Sequence, residues 1–87
     1  MTAEEWERLE SLRGLEGLRV LSVRTFDWPT FEASRRTSWN RIQHGETALI
    51  MKKNVTNYRL KIKDAMTYFT IKELARNWEL IDAPETT

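Results

Sequence analysis

The chain has no cysteine, one histidine, three glycines and two prolines in 87 residues. Without cysteine there are no disulfide staples and no thiolate zinc sites, and nothing points to an oxidising compartment. His44 alone cannot build a zinc site, so no metal and no cofactor are expected. Gly14, Gly17 and Gly45 are too scattered to form a phosphate-cradling loop. No apolar run approaches the roughly 20 residues of a membrane-spanning helix, so no membrane partner is expected. The opening Met-Thr-Ala-Glu-Glu is acidic, the opposite of a signal or transit peptide. A cytoplasmic location is the expectation.

What the chain does contain is aromatic mass and charge. Four Trp, three Phe and two Tyr can supply large buried areas to a small core. Charged residues make up 31% and hydrophobic ones 40%, a globular composition. The length fits one domain over 1–87, whose stability should be marginal. The net charge of +1 hides an uneven distribution. Residues 1–16 hold five Glu against two Arg, and residues 17–64 hold ten Arg or Lys against four acids. Residues 65–87 are again acidic, with four acids against two cations. The middle of the chain is therefore basic and its ends acidic.

Residues 2–13 read as a helix. Thr2 caps it, Glu5 closes a capping box, and Trp6, Leu9 and Leu12 form one narrow apolar stripe. Leu18 to Phe26 reads as one buried strand ended by Asp27-Trp28-Pro29. Residues 27–45 read as a decorated loop, with a short helix over about 34–43 as the other option. Thr47–Met51 is a second strand, Lys52-Lys53-Asn54 a polar turn, Tyr58–Lys63 a third strand and Met66–Ile71 a fourth. The next segment reads either as a helix capped by Thr70 with Glu73 in the box position, or as one helical turn, Lys72–Asn77, before a last strand Trp78–Ile81. The second reading is favoured because Trp78 and Leu80 alternate with polar neighbours. Residues 83–87 read as a frayed tail.

This order predicts a single α+β domain, mostly β. The leading helix is followed over 18–82 by strands whose order, with a helical turn before the last, looks like a small five-stranded barrel of the Src-homology-3 type. The resemblance is architectural and carries no ligand motif. A winged helix is the alternative fold, with 35–42 as recognition helix and the hairpin 47–63 as wing.

Two constellations suggest chemistry. Alternation in the third strand puts Tyr58, Leu60 and Ile62 on one side and Arg59, Lys61 and Lys63 on the other. Cations about 7 Å apart along a strand can follow a nucleic-acid backbone. Lys52 and Lys53 would extend that patch, and Arg19 and Arg24 could add to it. The blander reading is a solvated sheet face. The second constellation is Arg35, Arg36, Trp39 and Arg41, where Arg suits phosphates and an aromatic face suits stacked bases. The blander reading there is that Trp39 and Ile42 plug the barrel. Trp6, Leu9 and Leu12 could instead dock on a partner protein. His44 and Glu46 lack the partners that acid–base catalysis needs. Asn54-Val55-Thr56 matches a glycosylation sequon, which carries little without a signal peptide. The expected function is thus a non-enzymatic nucleic-acid-binding module. The alternative is a small adaptor or inhibitor that docks on a larger protein complex.

Overall fold

The computed structural model describes residues 1–31 and 37–81. It contains helix α1 (Ala3–Arg13), strands β1 (Arg19–Ser22), β2 (Phe26–Phe31), β3 (Thr37–Ile42), β4 (Thr47–Asn54), β5 (Asn57–Ile62) and β6 (Ala65–Phe69), helix α2 (Ile71–Asn77) and strand β7 (Trp78–Leu80). All seven strands join one antiparallel sheet in the order β3-β2-β6-β5-β4-β1-β7.

Both helices begin as their sequences dictate. Thr2 Oγ1 accepts from the Glu5 amide at 3.1 Å, and Glu5 Oε1 accepts from the Thr2 amide at 2.8 Å. The same box recurs at α2, where Thr70 N–H donates to Glu73 at 2.8 Å and Glu73 N–H donates to Thr70 Oγ1 at 3.3 Å. Each box satisfies backbone donors that a helix start leaves unpaired. Gly14 ends α1 at φ 80°, with its amide on the Glu10 carbonyl. At the end of the chain the two sequence readings combine. A capped helix forms, and Trp78 turns extended to start β7 at once.

The stretch 27–45, expected to be a loop or a helix, holds most of β2 and all of β3 instead. The six residues Thr37–Ile42 pair with Phe26–Phe31 from Phe26↔Ile42 to Phe31↔Thr37. A recognition helix over 35–42 is therefore excluded from Thr37 onward, and with it the winged-helix alternative; Arg35 and Arg36 lie outside the described residues. Pro29 does not break β2, for a geometric reason. Its carbonyl points toward β6, accepting from Thr67 Oγ1 at 2.9 Å. In an antiparallel strand a residue's nitrogen faces the same side as its carbonyl. The ladder between β2 and β6 is limited to Phe31↔Met66, so the missing N–H removes no ladder bond.

The single strand expected over 18–26 is divided. Ser22 Oγ donates to the Arg24 carbonyl at 2.5 Å and turns the chain between β1 and β2. Three strands stand between β1 and β2 in the sheet. Four interstrand steps in a flat sheet would span about 19 Å. Four Cα steps from Ser22 to Phe26 reach at most about 14 Å. The sheet must therefore curl, and it does so until the rings of Phe26 in β2 and Trp78 in β7 lie 6.1 Å apart. Despite that curl the sheet is not closed, and its edges are β3 and β7. A five-stranded barrel is not what forms.

The concave face carries the core. Val20, Phe26, Ile42, Ala48, Ile50, Tyr58, Leu60, Ile62, Phe69 and Trp78 are buried there, with Trp6 of α1 and Leu74 of α2 packed into the same cluster. Trp28 stacks on Phe69 at 4.7 Å, and Phe26 meets both rings edge-on. Among the described residues no helix is long and apolar enough to cross a membrane.

Candidate nucleic-acid interface on the open face of the sheet

Side chains that alternate with the core residues point away from both helices. The pairing register sets them in a row across six strands: Arg19 beside Leu49, Leu49 beside Lys61, Lys61 beside Met66, Met66 beside Phe31, and Phe31 beside Thr37. A second row places Arg59 opposite Tyr68 and, on the next pair of strands, Pro29 opposite Trp39. Continuing the Phe31↔Met66 register sets Pro29 beside Tyr68, which joins the two halves of that row. The face thus carries cations on β1 and β5, with the apolar Leu49 of β4 between them, and aromatic residues on β6, β2 and β3.

Contacts within the face hold this arrangement. The Arg59 guanidinium lies 5.8 Å from the Tyr68 ring centre, and Tyr68 meets Phe31 edge-on at 5.5 Å. Trp39 is 73% exposed. Among the described residues the acids on this face are engaged: Asp27 accepts from Arg41 Nε at 3.2 Å, and Glu79 holds the amino terminus at 3.0 Å. The Asp27 carboxylate raises the Arg41 pKa still further above its usual value. Among the described residues Arg19, Arg59 and Lys61 have no carboxylate within ion-pair distance.

The residues singled out from sequence are dispersed by the fold. Arg59, Lys61 and Trp39 lie on the open face, and Arg41 lies there paired to Asp27. Lys63 falls beyond β5, in the turn to β6 at φ 54°, with Glu46 at 3.8 Å. Lys52 and Lys53 belong to β4 rather than to a turn, at an irregularity in its pairing with β5. Lys53 stands on the helix side, 2.8 Å from Glu10 of α1. Trp6 is fully buried in the core and Leu9 packs against it, so of the stripe on α1 only Leu12, 76% exposed, faces outward.

Glu10 also accepts the Tyr58 hydroxyl proton, so one carboxylate ties α1 to the β4–β5 hairpin through two partners. The hydrogen bonds from Lys53 and Tyr58 hold the Glu10 carboxyl below its ordinary value. Burial, with the Glu10 bond and charge behind it, pushes the Tyr58 phenol well above 10.0. His44 is exposed, and its amide donates to Thr25 Oγ1 at 3.1 Å. Glu46 accepts the Gln43 amide rather than facing a nucleophile. Among the described residues no group of three His, Asp or Glu side chains could hold a metal.

Sequence reasoning singled out Trp39 but missed Phe31 and Tyr68 of the aromatic half of the face. Met66 and Tyr68 alternate with Thr67 and Phe69, but both sides of β6 carry large apolar residues, so the pattern does not say which side is core. No protein-family model, curated protein or solved structure matches this chain.

Proposed function

We propose that the protein is a non-enzymatic module that binds single-stranded nucleic acid across the open face of its sheet. The observation that carries this reading is the pair of transverse rows, which sets Arg19, Arg59 and Lys61, without a carboxylate partner among the described residues, on the same face as Tyr68, Phe31 and Trp39. Phosphates would pair with the cations by releasing counterions. Unstacked bases would lie on the aromatic side. Arg19 and Lys61 stand two strands apart, about 10 Å, and Arg59 and Lys61 about 7 Å, so the cations span several directions rather than one line. A curved sheet with flat aromatic residues suits bases splayed from a single strand better than the stacked interior of a duplex.

The competing reading is a protein-interaction module that docks through Trp6, Leu9 and Leu12. It draws less support, because Trp6 is spent inside the core and Leu12 alone would carry the contact. The test is a titration of fluorescently labelled single- and double-stranded DNA and RNA at low and moderate salt. Saturable binding of single strands that weakens steeply with salt is the expected result. Replacing Arg59 and Lys61 by Gln should then reduce the salt slope by about 0.7 per lost phosphate contact. Affinity and slope that stay unchanged in that variant would remove the open face as the site.

A further inference from the structure

A cavity of about 280 Å³ opens beside the curled core, lined by Arg24 of the β1–β2 link, Phe26, Asp27 and Trp28 of β2, and Glu73, Arg76 and Asn77 of α2. It uses none of Arg19, Arg59 and Lys61. We infer that this cavity is a binding site for a phosphate monoester, carried by a nucleotide or by the end of an oligonucleotide.

The inference rests on how the charges are held. Arg24 is positioned by two neutral groups: its Nη1 donates to Asn77 Oδ1 at 3.1 Å, and its guanidinium lies 5.7 Å from the centre of the Phe26 ring. Asn77 is in turn fixed, 2% exposed, with its Nδ2 donating to the Glu73 carbonyl at 2.9 Å. The cation is therefore oriented without being neutralised. Arg76, the exposed residue before Asn77 on α2, also lines the cavity, and among the described residues neither arginine has a carboxylate within ion-pair distance. Of the two acids of the lining, Asp27 is paired with Arg41 and Glu73 accepts the Thr70 amide, so with Arg41 counted the three guanidinium groups outnumber the two carboxylates by one.

Two guanidinium groups from different elements suit an anion with several oxygens in three dimensions. A carboxylate would be satisfied in one plane by a single arginine. Phe26 and Trp28 supply an apolar wall beside the anion. Trp28 is anchored there by its Nε1–H on the Tyr68 carbonyl at 3.0 Å and by stacking on Phe69, so the wall is formed before a ligand arrives.

The test is NMR titration of the whole chain with adenosine 5′-monophosphate, inorganic phosphate, adenosine, and a dinucleotide with and without a 5′-phosphate. The Trp28 indole N–H and the Asn77 side-chain amide are the reporters. Phosphate-bearing probes should shift both saturably, and adenosine and the unphosphorylated dinucleotide should not. Arg76→Gln should weaken binding about tenfold, while Lys72→Gln, on the same helix but outside the cavity, should leave it unchanged. A stronger response to the mononucleotide identifies free nucleotides as the source, and a stronger response to the phosphorylated dinucleotide identifies chain ends. No shift with any phosphate probe at roughly 10 mM, or equal affinity in Arg76→Gln and Lys72→Gln, overturns the inference. Loss of mononucleotide binding in Arg59→Gln/Lys61→Gln would also overturn it, by placing the phosphate on the open face. Because the two sites use separate cations, either can fail while the other stands.

Discussion

The two faces of this sheet are made from the same strands by the same alternation, yet they do opposite things with their aromatic residues. On the concave face Phe26, Trp28, Phe69 and Trp78 pack against one another beneath two helices. On the convex face Phe31, Trp39 and Tyr68 have no helix over them and stand among cations. Charge decides the difference. Arg59 and Lys61, alternate residues of β5, stay in water, and this fixes which side of the sheet the amphipathic helices can cover. Substitutions on the concave side should therefore cost stability, and those on the convex side should cost binding.

The largest expected effect breaks the concave side. Trp6→Ala removes a fully buried ring that fastens α1 to the sheet, and should destabilise the protein by about 3–5 kcal/mol. In a chain this small that is most or all of the stability, and it is read by loss of cooperative thermal unfolding. The convex side should answer in the opposite way. With Arg19, Arg59 and Lys61 all changed to Gln, the melting transition should move little, since exposed substitutions stay within about 0.5 kcal/mol. Single-strand affinity should fall at least tenfold, about 1.4 kcal/mol or more. A melting transition that collapses with affinity would erase the distinction between the faces.

The Glu10 clasp sharpens the comparison, because it joins a buried ring to the exposed margin of the concave side. The folded pKa of Glu10 is depressed, so its contribution is present above the usual carboxylate range and is lost as pH falls through the folded value. The folded pKa of Tyr58 is raised. Its contribution is present below 10.0 and is lost as pH rises beyond that, where the unfolded phenol ionises and the folded one does not. Tyr58→Phe should cost about 1–2 kcal/mol at neutral pH and flatten the alkaline limb of stability against pH. Equal alkaline losses in both proteins would show that the limb arises elsewhere.

The smallest effect lies at the tip of the β4–β5 hairpin. Val55 is 84% exposed and holds φ 55°, a conformation that costs a β-branched residue energy and that hairpin turns usually give to Gly. Val55→Gly should raise stability by about 0.5–1 kcal/mol without changing binding at either site. A fall in melting temperature would mean that the tip has a packing role.

Much of the concave side was legible in the sequence. Thr2 with Glu5 and Thr70 with Glu73 mark both helix starts, because a capping box is a local contact over three residues. The alternation Tyr58-Arg59-Leu60-Lys61-Ile62 correctly assigns its core side, since its two faces differ sharply in polarity. The stretch from Phe26 to Ile42 was not legible. Asp27-Trp28-Pro29 has the local signature of a break, and only the missing ladder between β2 and β6 makes Pro29 harmless. Lys52 and Lys53 read as a turn because the irregular pairing of β4 with β5 has no local mark.

By itself the sequence determined the cap of α1, the core side of β5, the absence of thiol chemistry and the basic character of the middle of the chain, and it offered the Thr70 cap of α2 as one of two readings. Each of these depends on neighbours a few residues apart or on composition alone. Only the tertiary structure decided that β1 and β2 have three strands between them, that the sheet curls without closing, and that Arg19, Lys61, Met66 and Phe31 form one row. It also decided that Arg24 meets Asn77, 53 positions along the chain. Those relations are set by strand order and register across the whole sheet, where a shift of one residue would exchange its two faces.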